Sequence, residues 1–161
     1  MKSAALAAIA LAFLACGRGE QPAARSKSGA ATHAGAGAST GATSEPESIT
    51  GKTWDVRMIA AGDSYRFAPA SVTINQGDAV RWTLVAGPGH NVTFWPDSIP
   101  PGASGTLQRN MLRTTAALAS PLLVNSGQTY LVSFGGLPSG TYHYYCAPHV
   151  AFGMIGTIIV R

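Results

Sequence analysis

The sequence predicts an all-β fold: a two-layer sandwich of seven to eight short strands with one short helical excursion. Three observations predict it. Nineteen glycines and ten prolines stand among 161 residues, a density of turn formers that does not suit a helical bundle. From about Ile49 onward, short runs rich in Val, Ile, Thr, Tyr, Phe and Trp recur, each bounded by Gly or Pro. Within these runs apolar and polar residues alternate with period two, the pattern of a strand with one buried face.

In chain order, Met1-Lys2-Ser3 leads into an uncharged stretch from Ala4 to Ala15. As a helix this stretch would cover about 18 Å at about 1.5 Å per residue. That is short of the roughly 30 Å hydrocarbon core of a bilayer, so residues 1–15 have the layout of an export signal. Cys16 follows directly, in Phe13-Leu14-Ala15-Cys16-Gly17. The arrangement resembles a bacterial lipoprotein signal, which implies lipidation of Cys16 and a periplasmic or cell-surface protein anchored to a membrane. Ordinary cleavage after Ala10-Leu11-Ala12 is the competing reading. Residues 16–48 are mostly Gly, Ala, Ser, Thr and Pro, with no aromatic side chain. Such a segment cannot bury enough apolar surface to offset its ordering entropy. It reads as a flexible tether with an r.m.s. span of roughly 30 Å, and the lone His33 in it reads as solvated.

Residues 49–161 form the folded domain. Thr53 to Ala60 is a strand, and Ser71 to Asn75 turns Val72 and Ile74 inward before the Gln76-Gly77-Asp78 turn. Val80, Trp82 and Leu84 then share one face, with Arg81 and Thr83 on the other. Asn91 to Phe94 is a further run. Thr129 to Phe134 alternates until Gly135-Gly136 and Pro138-Ser139-Gly140 break it, and Thr141 to Cys146 and Gly156 to Val160 complete the set. Between Gly105 and Pro121, Leu107, Met111, Leu112 and Leu118 recur at roughly helical spacing. This segment reads as a short helix or irregular excursion, with Arg109 and Arg113 sharing its solvent face. A domain of this size buries a core without disulfides, and two cysteines make no disulfide scaffold.

Composition excludes several classes. No apolar run reaches the length of a membrane span, and no heptad pattern signals a coiled coil. After residue 50, seven basic side chains face four acidic ones (Asp55, Asp63, Asp78 and Asp97), and no Lys/Arg cluster occurs. The chain is therefore not read as a nucleic-acid binder.

The chemistry gathers near the C-terminus. Cys146, His149 and Met154 are spaced Cys-x2-His-x4-Met where one strand ends and the next begins, and His90 follows Gly87-Pro88-Gly89. A thiolate, two imidazoles and a thioether suit a blue-copper arrangement, with two His and Cys in a plane and a long axial Met. Structural zinc wants four strong ligands, and Met is a poor one. Non-haem iron oxygenases need a carboxylate, and neither loop carries Asp or Glu. A Cys/His nucleophile pair lacks an orienting Asn or Asp beside His149.

Three segments carry a family resemblance. They are Phe67-Ala68-Pro69 through Val72-Thr73-Ile74-Asn75-Gln76-Gly77-Asp78-Ala79-Val80-Arg81-Trp82; His90-Asn91-Val92-Thr93-Phe94 with Ile99-Pro100-Pro101-Gly102; and Tyr145-Cys146-Ala147-Pro148-His149 through Gly153-Met154-Ile155-Gly156. Together they resemble the cupredoxins, closest to plastocyanin and pseudoazurin. The resemblance implies a Greek-key β-sandwich holding one type 1 copper ion, with His90, Cys146 and His149 as equatorial ligands and Met154 as the axial one. It implies that the Asn91 backbone amide donates a hydrogen bond to the cysteine sulfur. It also implies a one-electron carrier, not an enzyme, that cycles Cu(II)/Cu(I) and exchanges electrons through an exposed edge of His149. Gly87, Pro88, Gly89, Pro100, Pro148 and Phe152 flank the ligand loops as an apolar rim for transient docking of redox partner proteins onto a monomer. Tyr145 is expected to face the surface opposite Cys146, and His143 to be a solvent-facing strand residue. The alternative reading is a copper carrier or buffer without a redox role, ranked second because no exposed Met- or His-rich tract is present.

Overall fold

A computed structural model describes residues 46–161. The expectations for 1–15, Cys16, His33 and most of the 16–48 tether lie outside the described residues.

Among the described residues, eight strands form two four-stranded sheets. β1 (Thr53–Ala61), β2 (Ser64–Ala68), β4 (Ala79–Ala86) and β6 (Thr129–Ser133) make the first, in the order β2-β1-β4-β6. β3 (Ser71–Ile74), β5 (Thr93–Phe94), β7 (Gly140–Tyr145) and β8 (Ile155–Val160) make the second, in the order β3-β8-β7-β5. β1 runs parallel to β4 and β3 parallel to β8, and the other pairs are antiparallel. This is the expected Greek-key sandwich. Its strands alternate as the sequence does: Val80, Trp82 and Leu84 are buried while Arg81 is exposed, and Val72, Ile74, Tyr142, Tyr144, Ile158 and Val160 are buried from the facing sheet. Trp82 meets Phe94 and Tyr144 edge-on, with ring centroids 6.3 and 5.3 Å away, the geometry that aromatic quadrupoles favour.

Two elements depart from the sequence reading. β2 was not among the expected strands. It follows the turn at Gly62-Asp63, pairs with β1 and buries Phe67. The segment between Gly105 and Pro121 is helical only at its start. α1 (Ala103–Asn110) buries Ala103 and Leu107 and stops because its last side chain has other partners. Asn110 donates through Nδ2 to the carbonyls of Ser133 and Gly135 and accepts from the Glu47 amide. Arg113 then takes a left-handed φ of 55°, so it leaves the helix and shares no helical face with Arg109.

The two poles of the sandwich differ. At one, Asp78 is 3% exposed and accepts from the Lys52 amide, the Asn75 amide and the Trp54 indole N–H. The Thr50 and Gly51 amides bond the Gly77 carbonyl there, which fixes the start of the domain. At the other pole, β4 runs out through Gly87 to His90, and β7 ends at Tyr145, one residue before Cys146.

Candidate metal centre

His90 lies beyond the end of β4, and its backbone is bridged to Leu123. The turn that brings it in needs a glycine. Gly87 has φ 108°, and a Cβ there would overlap Ala60 and come within 3.2 Å of the His90 ring. Cys146 follows β7, and a 3-10 segment from Ala147 to Phe152 carries His149. The loop closes on itself, since the His149 amide donates to the Cys146 carbonyl, the Met154 amide to the His149 carbonyl and the Cys146 amide to the Met154 carbonyl. Met154 is fully buried, immediately before β8.

Three donor atoms converge from these loops. The Nδ1 atoms of His90 and His149 are 3.1 Å apart, and Cys146 Sγ lies 3.5 Å from the first and 3.3 Å from the second. Nitrogen ligands bound about 2.1 Å from a shared ion in a trigonal plane would sit roughly 3.6 Å apart, close to this spacing. All three residues are buried. The protein around them fixes their state. His90 Nε2 lies 3.3 Å from the Ala86 carbonyl, so its N–H donates there and Nδ1 is left free as a ligand. Burial pulls the His90 pKa down, against the Ala86 hydrogen bond and with the neighbouring His149 charge. Burial also pulls His149 down. The Cys146 thiol is pushed up by burial, against the Asn91 and His149 amides.

Asn91 ties the two loops together. Its amide lies 3.5 Å from Cys146 Sγ as a donor, its Oδ1 accepts from the Ala147 amide at 2.7 Å, and its Nδ2 donates to Thr93 Oγ1.

The surroundings correct several expectations. His149 is only 6% exposed, so the open imidazole edge is much narrower than expected. Tyr65 lies flat on its ring, with centroids 4.0 Å apart and planes 7° apart, and Phe152 leans against Tyr65. Tyr65 was missed because it belongs to the unread β2; its alternation with Phe67 after a Gly-Asp turn was the available signal. Pro100 is not part of the rim. It packs against Gly140, at the end of β7 farthest from Cys146. Leu122, half exposed and lying against Gly89, takes a place in the rim instead, beside exposed Gly87, Pro88, Pro148 and Phe152. Tyr145 is half-buried, and Trp95 stacks on it at 4.4 Å. His143 is half-buried rather than open, with Nδ1 3.2 Å from Thr157 Oγ1.

Comparison with known proteins agrees with this geometry. The family described as copper binding proteins, plastocyanin/azurin family, matches residues 54–161. Plastocyanin of Scenedesmus fuscus is 36% identical over 107 residues, covering 66% of this chain and 97% of that protein. Plastocyanin of Nostoc punctiforme is 31% identical over 115 residues, covering 71% of this chain and 78% of that protein. The oxidized plastocyanin structure from Dryopteris crassirhizoma superposes with a TM-score of 0.52 at 32% identity, covering 67% of this chain and all of that one. Two histidines and a cysteine brought together at one pole of a sandwich with these relatives have one explanation: the chain belongs to the plastocyanin/azurin family of copper-binding proteins, a one-electron carrier rather than an enzyme, built around a single type 1 copper ion.

Proposed function

We propose that His90 Nδ1, Cys146 Sγ, His149 Nδ1 and the Met154 thioether would hold the copper ion, with the Asn91 amide supporting the Cys146 sulfur. The carrying observation is the cluster itself: three buried donor atoms, all within 4.8 Å of one another, with no carboxylate among them. Imidazole with soft thiolate and thioether suits copper better than zinc or iron. Copper supplies the one-electron couple when bound, and the chain's contribution is to keep its ligands still. Ala86 holds His90, Asn91 and the Met154 carbonyl hold the Cys146 segment, and the sheets hold both loops. A frame that limits ligand motion lowers the rearrangement that accompanies each electron.

Electrons are exchanged at the His149 pole, where Gly87, Pro88, Leu122 and Phe152 offer a small apolar surface for brief docking of a redox partner. The protein works as an exported monomer, with 1–15 as its signal, 16–48 as its tether and 49–161 as its redox domain. Cys16 is its lipid attachment point at a periplasmic or cell-surface membrane. The first fifteen residues, too short to span a bilayer, support the export reading.

The test is addition of Cu(II) to the metal-free protein. An intense blue thiolate-to-copper band is expected, and Cys146→Ser should abolish it. A colourless product in the unaltered protein would overturn the ligand assignment. The mass of the native N-terminus decides between lipidation at Cys16 and cleavage after Ala12.

A further inference from the structure

The two histidines of the site are held differently. His90 is oriented by a hydrogen bond, since its Nε2 faces the Ala86 carbonyl at 3.3 Å. Such a contact on the far ring nitrogen is the usual way a metal-binding imidazole is held in orientation. The polar contacts of the His149 ring all run through Nδ1, to His90 and Cys146, and its Nε2 has no protein partner among the described residues. What meets its ring instead is Tyr65, parallel within 7° at 4.0 Å. Tyr65 stands on β2, the edge strand of the first sheet, opposite Ala60 of β1. His149 stands in the loop that follows the second sheet's β7. The stack therefore crosses between the layers and fastens the ligand loop to a strand that carries no ligand. Phe152, 5.1 Å from Tyr65 and tilted by 48°, covers the pair from outside.

We infer that Tyr65 is a positioning residue for His149. It fixes the plane of the imidazole, and so the direction of Nδ1, in the role that the Ala86 carbonyl plays for His90. This rests on the copper reading of the site. The interaction is carried by the ring face, because no hydrogen bond from the Tyr65 hydroxyl is seen among the described residues. Phenylalanine should therefore substitute for it and leucine should not.

The test compares the unaltered protein with Tyr65→Phe and Tyr65→Leu, each as the full chain. With copper bound, release into excess EDTA is followed through the blue band. Tyr65→Phe should match the unaltered protein, and Tyr65→Leu should release copper on the order of tenfold faster, the range seen when groups that orient a ligand are removed. Its band should also change in position or width, which a general loss of stability would not cause. Equal release rates and identical bands in Tyr65→Leu would overturn the inference, as would equally fast release in Tyr65→Phe.

A second measurement needs neither copper nor a variant that folds. In the NMR spectrum of the metal-free protein, the ring protons of His149 should be displaced upfield by the Tyr65 ring current. Their appearance at ordinary positions would overturn the stack itself. If the unaltered protein gave no blue band while the upfield shift was present, the copper reading would fall and the stack would stand.

Discussion

In the metal-free protein at neutral pH, Cys146 is a thiol and both imidazoles are uncharged. Burial raises the first group and lowers the other two. A bound metal needs the thiolate. Uptake of one Cu(II) near neutral pH should therefore release about one proton, all of it from Cys146 and none from the histidines. The release can be read with an indicator dye in weakly buffered solution. Zero protons, or two or more, would contradict this ordering of the three groups. Asp78 gives a second prediction from a single side chain, at the far pole. Burial alone would raise its pKa, but the Asn75 amide, the Trp54 indole and the Lys52 amide and charge together hold it below the ordinary value of 3.8. With the folded value depressed, its stabilising contribution is complete above about 3.8 and is lost as pH falls through the folded value. Asp78→Ala removes the buried acceptor that three donors share, the Lys52 and Asn75 amides and the Trp54 indole. It should lower the unfolding free energy by about 2 kcal/mol or more at neutral pH and flatten the decline of stability below pH 3.8 in urea titrations. An unchanged acid limb would show that the carboxylate is not the linked group.

Strands were legible where alternation was long and unbroken. Val80, Trp82 and Leu84 in β4 announce their buried face with no other information. β2 was not legible in the same way. Its five residues hold two inward aromatics, Tyr65 and Phe67, too few to establish a period, and its strand character comes from pairing with β1. The helical excursion was half legible. Leu107 marks α1, but the spacing of Met111 and Leu112 imitates a further turn that the Asn110 side chain ends by bonding across to Ser133 and Gly135. The proposed ligand set was readable as a candidate because its spacing is local for three of its four residues, whereas the Tyr65 contact joins positions 84 apart in sequence and leaves no local trace. One strand position carries a further prediction. A Cβ at Gly156 in β8 would overlap the Tyr144 ring directly across the pair with β7. Tyr144 is fully buried between Phe67, Trp82 and Phe94, so it cannot retreat. Gly156→Ala should lower stability by about 1–3 kcal/mol, as overpacking does, seen as a lower urea midpoint at constant slope. A midpoint at the unaltered value would mean that the aromatic cluster yields more than its burial indicates.

At the scale of the whole molecule, charge decides how the carrier meets small redox reagents. Residues 46–161 hold seven Lys and Arg against five Asp and Glu. Arg81 is paired with Asp55, and Asp78 is buried among its donors. What remains on the surface is six cations (Lys52, Arg57, Arg66, Arg109, Arg113 and Arg161) against three anions (Glu47, Asp63 and Asp97). The field around the domain is therefore positive, and its reach depends on salt. Raising ionic strength from about 0.01 M to about 0.15 M shortens the screening length from about 30 Å to about 8 Å. Oxidation of the reduced protein by the hexacyanoferrate(III) anion should slow over this range, and oxidation by the tris(phenanthroline)cobalt(III) cation should quicken. Arg57 and Arg66 stand on the solvent face of the first sheet, in register with Ala68 and Ile59, and Arg66 directly follows the tyrosine that covers His149. Reversing both, as Arg57→Glu with Arg66→Glu, leaves four exposed cations against five anions. Both salt dependences should then collapse toward zero while the blue band is unchanged, because neither side chain touches the ligands. Stopped-flow rates across the salt series measure this directly. Hexacyanoferrate(III) reacting faster at high salt with the unaltered protein would mean that the pole around His149 presents a negative field despite the count, and the positive surface would then have no part in steering.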